Sequence, residues 1–191
     1  MACASDNPKA RLRQEIGRRL AQLGPGEIRR RSALACGYLV ERFPDPGVVM
    51  AYLALPGEAD PAGAMALWRA RGVRVAAPRV NWSDRSMEPA LVGAGGELVE
   101  TRHGLREPGP GAPVVPIGEI GLVVVPGVAF TGSGERLGRG GGFYDRFLAR
   151  LSPGASAVGL VLSCQVVGEL PAESHDRSVG LVITEDGVVG G

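Results

Sequence analysis

The stretch that decides the fold covers residues 122–146 and reads LVVVPGVAFTGSGERLGRGGGFYDR. Its first four residues, Leu122–Val125, are apolar and typical of a buried strand, and its last four predict the start of a helix. Six glycines lie within residues 132–142, and the N–H groups of such a segment can approach an anion closely. Because Arg136 and Arg139 add forked donors suited to phosphate oxygens, the stretch predicts a nucleotide phosphate site.

Two familiar phosphate-binding motifs do not fit this stretch. A P-loop needs Gly-Lys-Ser/Thr, whereas the only lysine in the chain is Lys9. A dinucleotide-binding fingerprint needs G-x-G-x-x-G, whereas Leu137 stands at the third glycine position after Gly132 and Gly134. The predicted phosphate site therefore belongs to another class.

The stretch resembles the signature of the 5-formyltetrahydrofolate cyclo-ligase family, also called methenyltetrahydrofolate synthetases. That signature reads roughly PG-x-x-F-[D]-x-x-G-x-R-[LIM]-G-x-G-x-G-[YF]-Y-D. The matching positions here are Pro126, Gly127, Phe130, Gly134, Arg136, Leu137, Gly138, Gly140, Gly142, Phe143, Tyr144 and Asp145. The resemblance extends over most of the chain, through Lys9-Ala-Arg-Leu-Arg13, Tyr52-Leu53 with Glu58, Gly104-Leu-Arg-Glu-Pro108 and Leu170-Pro-x-Glu-x-His-Asp176.

Three positions depart from the family pattern. Thr131 stands where an Asp often follows the loop phenylalanine, and Phe143 replaces the first tyrosine of the usual Tyr-Tyr-Asp. These two changes leave stacking and backbone contacts in place. Gly180 replaces the second acid of the C-terminal motif, which leaves Asp176 as the C-terminal acid available to a metal.

The resemblance implies an ATP- and Mg²⁺-dependent enzyme that closes 5-formyltetrahydrofolate to 5,10-methenyltetrahydrofolate and releases ADP and phosphate. The implied chemistry is phosphorylation of the formyl oxygen, attack by the N10 amine and departure of phosphate. The protein must therefore hold the γ-phosphate beside the formyl oxygen and stabilise the transferred charge.

The resemblance also implies roles for individual residues. The expected catalytic residues are Arg139, with the backbone of residues 138–142, and Arg136. Contacts to ATP are expected from Lys9, Arg13, Arg136, Leu137, Gly138, Arg139, Gly140, Gly141, Gly142, Phe143 and Tyr144. Contacts to the folate are expected from Leu53, Glu58, Arg139, Gly140, Gly141, Gly142 and Phe143. The expected ligands of Mg²⁺ are Asp145 and Asp176.

The residue types alone leave other interpretations open. An arginine in a glycine-rich loop can be a solvated tip or part of a structural salt bridge, and Asp145 can stabilise a helix N-terminus. Lys9 and Glu58 can be solvated charges, while Leu53 and the two aromatic residues that follow Gly142 can belong to the core. For the whole chain, the alternative function is a non-catalytic folate- or nucleotide-binding relative of the same fold.

The length of the chain predicts one domain over residues 1–191. Turn residues and hydrophobic spacing place N-terminal helices at about 7–43 and an α/β core at about 48–185. The chain is 45% hydrophobic and 21% charged, with a net charge of +1 that gives no reason to expect nucleic-acid binding. We expect neither a signal peptide nor a membrane span. Cys3, Cys36 and Cys164 form no C-x-x-C, so we expect reduced thiols in a cytoplasmic protein that is a monomer or weak homodimer.

The alternation of strands and helices, with continuous apolar runs, predicts an α/β fold with a mostly parallel sheet. The resemblance implies an open α/β sandwich with the glycine-rich loop at strand ends. Predicted strands cover 48–53, 73–77, 122–125, 157–162 and 181–184. Predicted helices run from residue 7 to a break at 24–26, from 27 to 42, from 60 to 71 and from 143 to 151. The second helix is expected to bury Ile28, Leu34, Tyr38 and Leu39, and a short hairpin is expected from residues 87–91 and 97–99.

Overall fold

The computed structural model describes residues 7–93, 97–171, 173 and 176–190. Its α-helices are α1 (Pro8–Arg42), α2 (Ala62–Ala70) and α3 (Phe143–Leu148), and short 3-10 helices cover Arg102–Gly104, Ile117–Glu119 and Ser163–Gln165. Its strands are β1 (Val48–Ala51), β2 (Arg74–Asn81), β3 (Ser86–Leu91), β4 (Leu98–Glu100), β5 (Arg106–Pro108), β6 (Leu122–Val125), β7 (Ala129–Thr131), β8 (Arg136–Leu137), β9 (Ser156–Leu160), β10 (Val166–Val167), β11 (Leu181–Thr184) and β12 (Gly187–Val189). Cys3 and His175 lie outside the described residues.

A seven-stranded sheet organises the chain, with the strand order β12-β11-β9-β6-β1-β2-β3. The neighbours from β11 to β2 pair in parallel, and only β12 and β3 pair antiparallel, at the edges of this sheet. The central strands β1 and β6 are buried along their whole length because both faces of the sheet are covered. The predicted fold class, mixed α/β with a mainly parallel sheet, is confirmed.

The core lies on both faces of this sheet. On one face α1 and α2 contribute Leu39, Cys36 and Trp68, whose indole N–H donates to the Phe43 carbonyl at 2.8 Å. On the other face Phe130 and other buried side chains pack around α3. Cys36 and Cys164 are free thiols, as expected. Along the part of the chain that the structure describes, no helix is long and apolar enough to cross a membrane.

The predicted break in the N-terminal helical region is a kink within α1. Gly24 has φ +71° and ψ 162°, a left-handed backbone that favours glycine, and Pro25 follows it. At the start of the helix, the Asn7 side chain accepts hydrogen bonds from the amides of Lys9 and Ala10. The first half of α1 is therefore capped by Asn7 at its N-terminus, and the helix changes direction at Gly24.

The buried face of the second half of α1 differs from the predicted one. Leu34 and Tyr38 are 46% and 41% exposed, so the prediction was wrong for both. The buried residues of this half are Ser32, Ala35, Cys36, Leu39 and Val40. Small side chains allow α1 to approach α2 closely, and a Cβ at Gly63 of α2 would lie only 3.6 Å from the Cys36 side chain. The Cys36 thiol also donates to the carbonyl of Asp60, just before α2, at 3.3 Å. Hydrophobicity alone favours the larger side chains and misses this constraint.

The predicted hairpin of residues 87–91 and 97–99 is wrong. β3 pairs antiparallel with β2, and β4 pairs with β5. The turn between β2 and β3 is held by Asn81, which accepts from the Ser83 amide at 3.0 Å, and by Asp84, which accepts from the Ser86 amide at 2.8 Å. Such Asx turns form locally and place the hairpin one strand earlier than the hydrophobic pattern indicated.

Gly121, immediately before β6, is a position where the fold tolerates only glycine. A Cβ there would lie 2.2 Å from the Pro46 carbonyl oxygen. We expect Gly121→Ala to lower the free energy of unfolding by about 1–3 kcal/mol, because a close-packed backbone must move. The measurement is urea denaturation followed by circular dichroism.

The matched control is Gly37→Ala on the exposed side of α1, where a Cβ meets nothing within 4 Å. This change should raise stability by about 0.5–1 kcal/mol through helix propensity. Equal unfolding midpoints for the two variants would contradict the packing argument.

Candidate active site

A cleft of about 690 Å³ lies at the carboxyl ends of the central parallel strands. Tyr52 and Leu53 follow β1, and Pro126 and Gly127 follow β6. The other walls come from the start of α1, the β2–β3 hairpin, β5, the segment between β8 and α3, and the segment around Asp176. Ligands of open α/β sheets bind at this end of the strands, where the connecting segments diverge.

All residues that the sequence predicts for ATP, folate and metal line this one cleft. They come from distant parts of the chain, from Lys9 in α1 to Asp176 near the C-terminal strands. The structure brings them together, and their individual roles stay predictions. Trp82 and Arg106 also line the cleft, although the sequence did not single them out as site residues. Arg106 lies within a matched family motif, whereas Trp82 carried no such signal.

The glycine-rich stretch contains a hairpin that the sequence analysis did not predict. β7 and β8 pair antiparallel, with Phe130 opposite Arg136. At Gly134, with φ +87°, a Cβ would lie 2.1 Å from the Val179 carbonyl oxygen, so only glycine fits. Residues 138–142 then lead along the cleft to α3. The hairpin fixes Arg136, and the segment after it carries Arg139.

Arg136 is buried and joins β8 to α3. Its Nη2 atom donates to Asp145 Oδ1 at 2.6 Å, and the Arg177 amide donates to the same oxygen at 3.1 Å. Arg136 Nε is buried and has no hydrogen-bond partner among the described residues. A buried donor of this kind is costly unless a ligand satisfies it.

Lys9 attaches the start of α1 to the C-terminal wall of the cleft. Its ammonium lies 2.9 Å from Asp176 Oδ2 and 3.2 Å from Glu173 Oε1. Burial by itself would lower the pKa of Lys9, but the hydrogen bonds to Asp176 and Glu173 outweigh it and raise the pKa above the ordinary value. Lys9 is therefore a cation at neutral pH.

Arg139 and Glu58 form an ion pair across the cleft. Arg139 Nε and Nη2 lie 2.9 and 2.8 Å from Glu58 Oε1, while Glu58 Oε2 accepts from the Leu55 amide at 2.9 Å. Nearby, Arg13 Nε donates to the Gly138 carbonyl at 2.9 Å. These bonds tie the segment after β8 both to α1 and to the segment after β1.

The aromatic residues of the cleft differ in how their polar atoms are satisfied. The Tyr52 hydroxyl can donate a hydrogen bond to either of two carbonyl oxygens, those of Ala59 and Leu160. The Tyr144 hydroxyl is buried without a hydrogen-bond partner among the described residues, and this burial raises the pKa of Tyr144. Phe143 meets Trp82 edge to face, with ring centroids 5.2 Å apart.

The two predicted metal ligands, Asp145 and Asp176, lie close along the cleft wall. Asp145 accepts from the amide of Arg177, the residue that follows Asp176. Within the described ranges, no group of three or more His, Cys, Asp or Glu side chains could hold a metal alone. Mg²⁺ is commonly bound by one or two carboxylates together with substrate phosphates and water, so this pair fits such a site.

The chain is similar to known proteins over most of its length. The model of the 5-formyltetrahydrofolate cyclo-ligase family matches residues 5–185. A 5-formyltetrahydrofolate cyclo-ligase of Escherichia coli is 36% identical over 73% of this chain and 81% of its own length. The one from Mycolicibacterium smegmatis is 43% identical, over 47% of this chain and 46% of that protein. The mouse protein of the same name is 25% identical over 97% of both chains.

Solved structures of the same fold agree with these sequence matches. The 5,10-methenyltetrahydrofolate synthetase of Aquifex aeolicus superposes with a TM-score of 0.81 and 28% identity, over 95% of this chain and 92% of that one. A synthetase from Mycoplasma pneumoniae, at 21% identity and a TM-score of 0.76, supports the fold alone. The resemblance seen in the sequence is confirmed, and the chain belongs to the 5-formyltetrahydrofolate cyclo-ligase family of ligase enzymes.

Proposed function

We propose that the protein catalyses the ATP- and Mg²⁺-dependent cyclisation of 5-formyltetrahydrofolate to 5,10-methenyltetrahydrofolate, with release of ADP and phosphate. The observation that carries the proposal is the convergence of the acid Glu58 with the cations Lys9, Arg13, Arg136 and Arg139 in one cleft of a cyclo-ligase family member. A formamide oxygen is a poor leaving group, so it must first be phosphorylated. A site for this reaction needs phosphate-binding cations and a folate-binding acid side by side.

The phosphate side is assigned to Arg136, Arg139, Lys9 and Arg13. The Arg139 side chain is largely exposed at the cleft, where a transferred phosphoryl group can reach it, whereas Arg136 is buried and paired with Asp145. This difference suits Arg139 to stabilising the γ-phosphate and Arg136 to orienting the segment and the phosphates. Leu137, Phe143, Tyr144 and the backbone of residues 138–142 complete the proposed nucleotide contacts.

The metal side is assigned to Asp145 and Asp176. When bound, Mg²⁺ would neutralise charge on the phosphates. Asp145 uses its Oδ1 atom for Arg136 and the Arg177 amide, which orients the other oxygen of the carboxylate. The carboxylates would thus be held in place by the cations beside them before a metal arrives.

The folate side is assigned to Glu58, Leu53, Phe143 and the backbone of residues 139–142. A carboxylate can accept two parallel hydrogen bonds from the amino-pyrimidine edge of a pterin. Leu53 and Phe143 offer apolar surface to its ring.

We also propose a cytoplasmic protein, monomeric or a weak homodimer, with a small-molecule substrate and no nucleic-acid or membrane partner.

The direct test is the absorbance of the methenyl product after the protein is mixed with 5-formyltetrahydrofolate and MgATP. A rise that requires both ATP and Mg²⁺ would support the cyclo-ligase assignment. No rise, with both ligands binding, would support the alternative of a non-catalytic binding relative.

For Arg139→Ala we expect turnover to fall at least about a hundredfold, because arginines that stabilise a transferring phosphoryl group contribute effects of this size or larger. The free energy of unfolding should stay within about 0.5 kcal/mol of wild type, since the side chain is exposed. Arg150→Ala, at an exposed position outside the cleft, serves as the control. Near wild-type turnover in Arg139→Ala would remove Arg139 from the mechanism.

For Tyr144→Phe we expect no loss of stability, because the hydroxyl has no hydrogen-bond partner among the residues that the structure describes. If the hydroxyl binds the nucleotide, the KM for ATP should rise about three- to tenfold, the effect of one neutral hydrogen bond.

Tyr52→Phe is the contrasting variant. It removes the donor to buried carbonyls and should lower the free energy of unfolding by about 1–3 kcal/mol. A drop in the melting temperature of Tyr144→Phe matching that of Tyr52→Phe would contradict this distinction.

A further inference from the structure

One ion pair joins the two sides of the cleft that are assigned to different substrates. Arg139 belongs to the segment after β8, on the phosphate side, and Glu58 belongs to the segment after β1, on the folate side. The Arg139 side chain is 60% exposed and that of Glu58 16% exposed. A phosphate can therefore reach Arg139 from solvent, while Glu58 lies deeper, beneath it.

The pair occupies the groups that each substrate needs. Both hydrogen-bonded nitrogens of Arg139, Nε and Nη2, are directed at Glu58 Oε1. The second carboxylate oxygen of Glu58 is taken by the Leu55 amide. Two parallel N–H donors on a ligand can engage Glu58 only after Arg139 leaves it. A phosphate that takes the same edge of Arg139 must likewise draw Arg139 away from Glu58.

None of the other ion pairs that the described residues form in the cleft crosses this boundary. Lys9 with Asp176 joins a proposed nucleotide contact to a proposed metal ligand, and Arg136 with Asp145 does the same. Opening either of these pairs would connect nucleotide binding with metal binding. Among the described salt bridges of the cleft, the pair of Arg139 and Glu58 is the one that connects the nucleotide side to the folate side.

We propose that the Arg139–Glu58 ion pair is a latch that makes the nucleotide and the folate bind cooperatively. The first substrate opens the latch, and the second then binds without having to break it. The proposal rests on the proposed function, since it takes Arg139 as a phosphate ligand and Glu58 as a pterin ligand. Because coupling between two ligands is reciprocal, each should strengthen the binding of the other by the same factor.

The expected coupling is about three- to tenfold. This lies at the low end of measured couplings between ligands, because a solvent-exposed arginine makes a weaker ion pair than a buried one.

The test is isothermal titration calorimetry on the full chain, with 5-formyltetrahydrofolate and with a non-hydrolysable ATP analogue plus Mg²⁺. In wild type, the folate should bind about three- to tenfold tighter when the analogue is present. Arg139→Met removes the donors, so the folate alone should bind it about three- to tenfold tighter than wild type, with no further gain from the analogue. Glu58→Gln should bind the analogue alone tighter by the same factor, while its folate affinity falls. Arg150→Met should behave as wild type.

Two results would overturn the latch. One is a wild-type folate affinity that does not change with the analogue. The other is weaker folate binding by Arg139→Met than by wild type, which would mean that Arg139 contacts the folate directly. Turnover of the wild-type protein, measured in parallel by methenyl absorbance, separates these results from a failure of the cyclo-ligase assignment. A protein that turns over without coupling retains its function and loses only the latch.

Discussion

The parallel pairing of β1 with β6 is the constraint on which the rest of the structure depends. Both strands are buried on both faces, so their residues are apolar throughout. The polar side chains of the cleft therefore lie in the segments that follow the strands. Because parallel strands end on the same side, the segment with Glu58 and the segment leading to Arg136 emerge together. The cleft is the result of this pairing, and the helices cover the faces that would otherwise expose apolar surface.

Charge balance is the second organising feature of the cleft. Lys9, Arg136 and Arg139 are each held by a carboxylate in the free protein. Paired cations keep defined positions without the cost of an uncompensated charge in a partly buried site. A phosphate ligand would therefore meet side chains that are already oriented, and it would replace protein carboxylates or share the cations with them.

Much of this could be predicted from the sequence, because the strongest signals are local. The run Leu122–Val125 predicts a buried parallel strand, and the glycines with Arg136 and Arg139 predict a phosphate site. Which side chains of α1 are buried could not be predicted. Leu34 and Tyr38 were expected inside, yet small residues form the contact between α1 and α2. The ion pair between Arg139 and Glu58 joins residues 81 positions apart, and no local pattern indicates such a partner.

The contact between Lys9 and Asp176 has a consequence for how the protein is made. These two residues are 167 positions apart, and both line the cleft. During synthesis the N-terminal helix emerges early, but its lysine has no carboxylate partner at position 176 until β9 and the segment beyond it have left the ribosome. During synthesis, this wall of the cleft is therefore among the last parts to form. A nascent chain that stops short of Asp176 lacks one wall of the cleft, however well its sheet has begun to form.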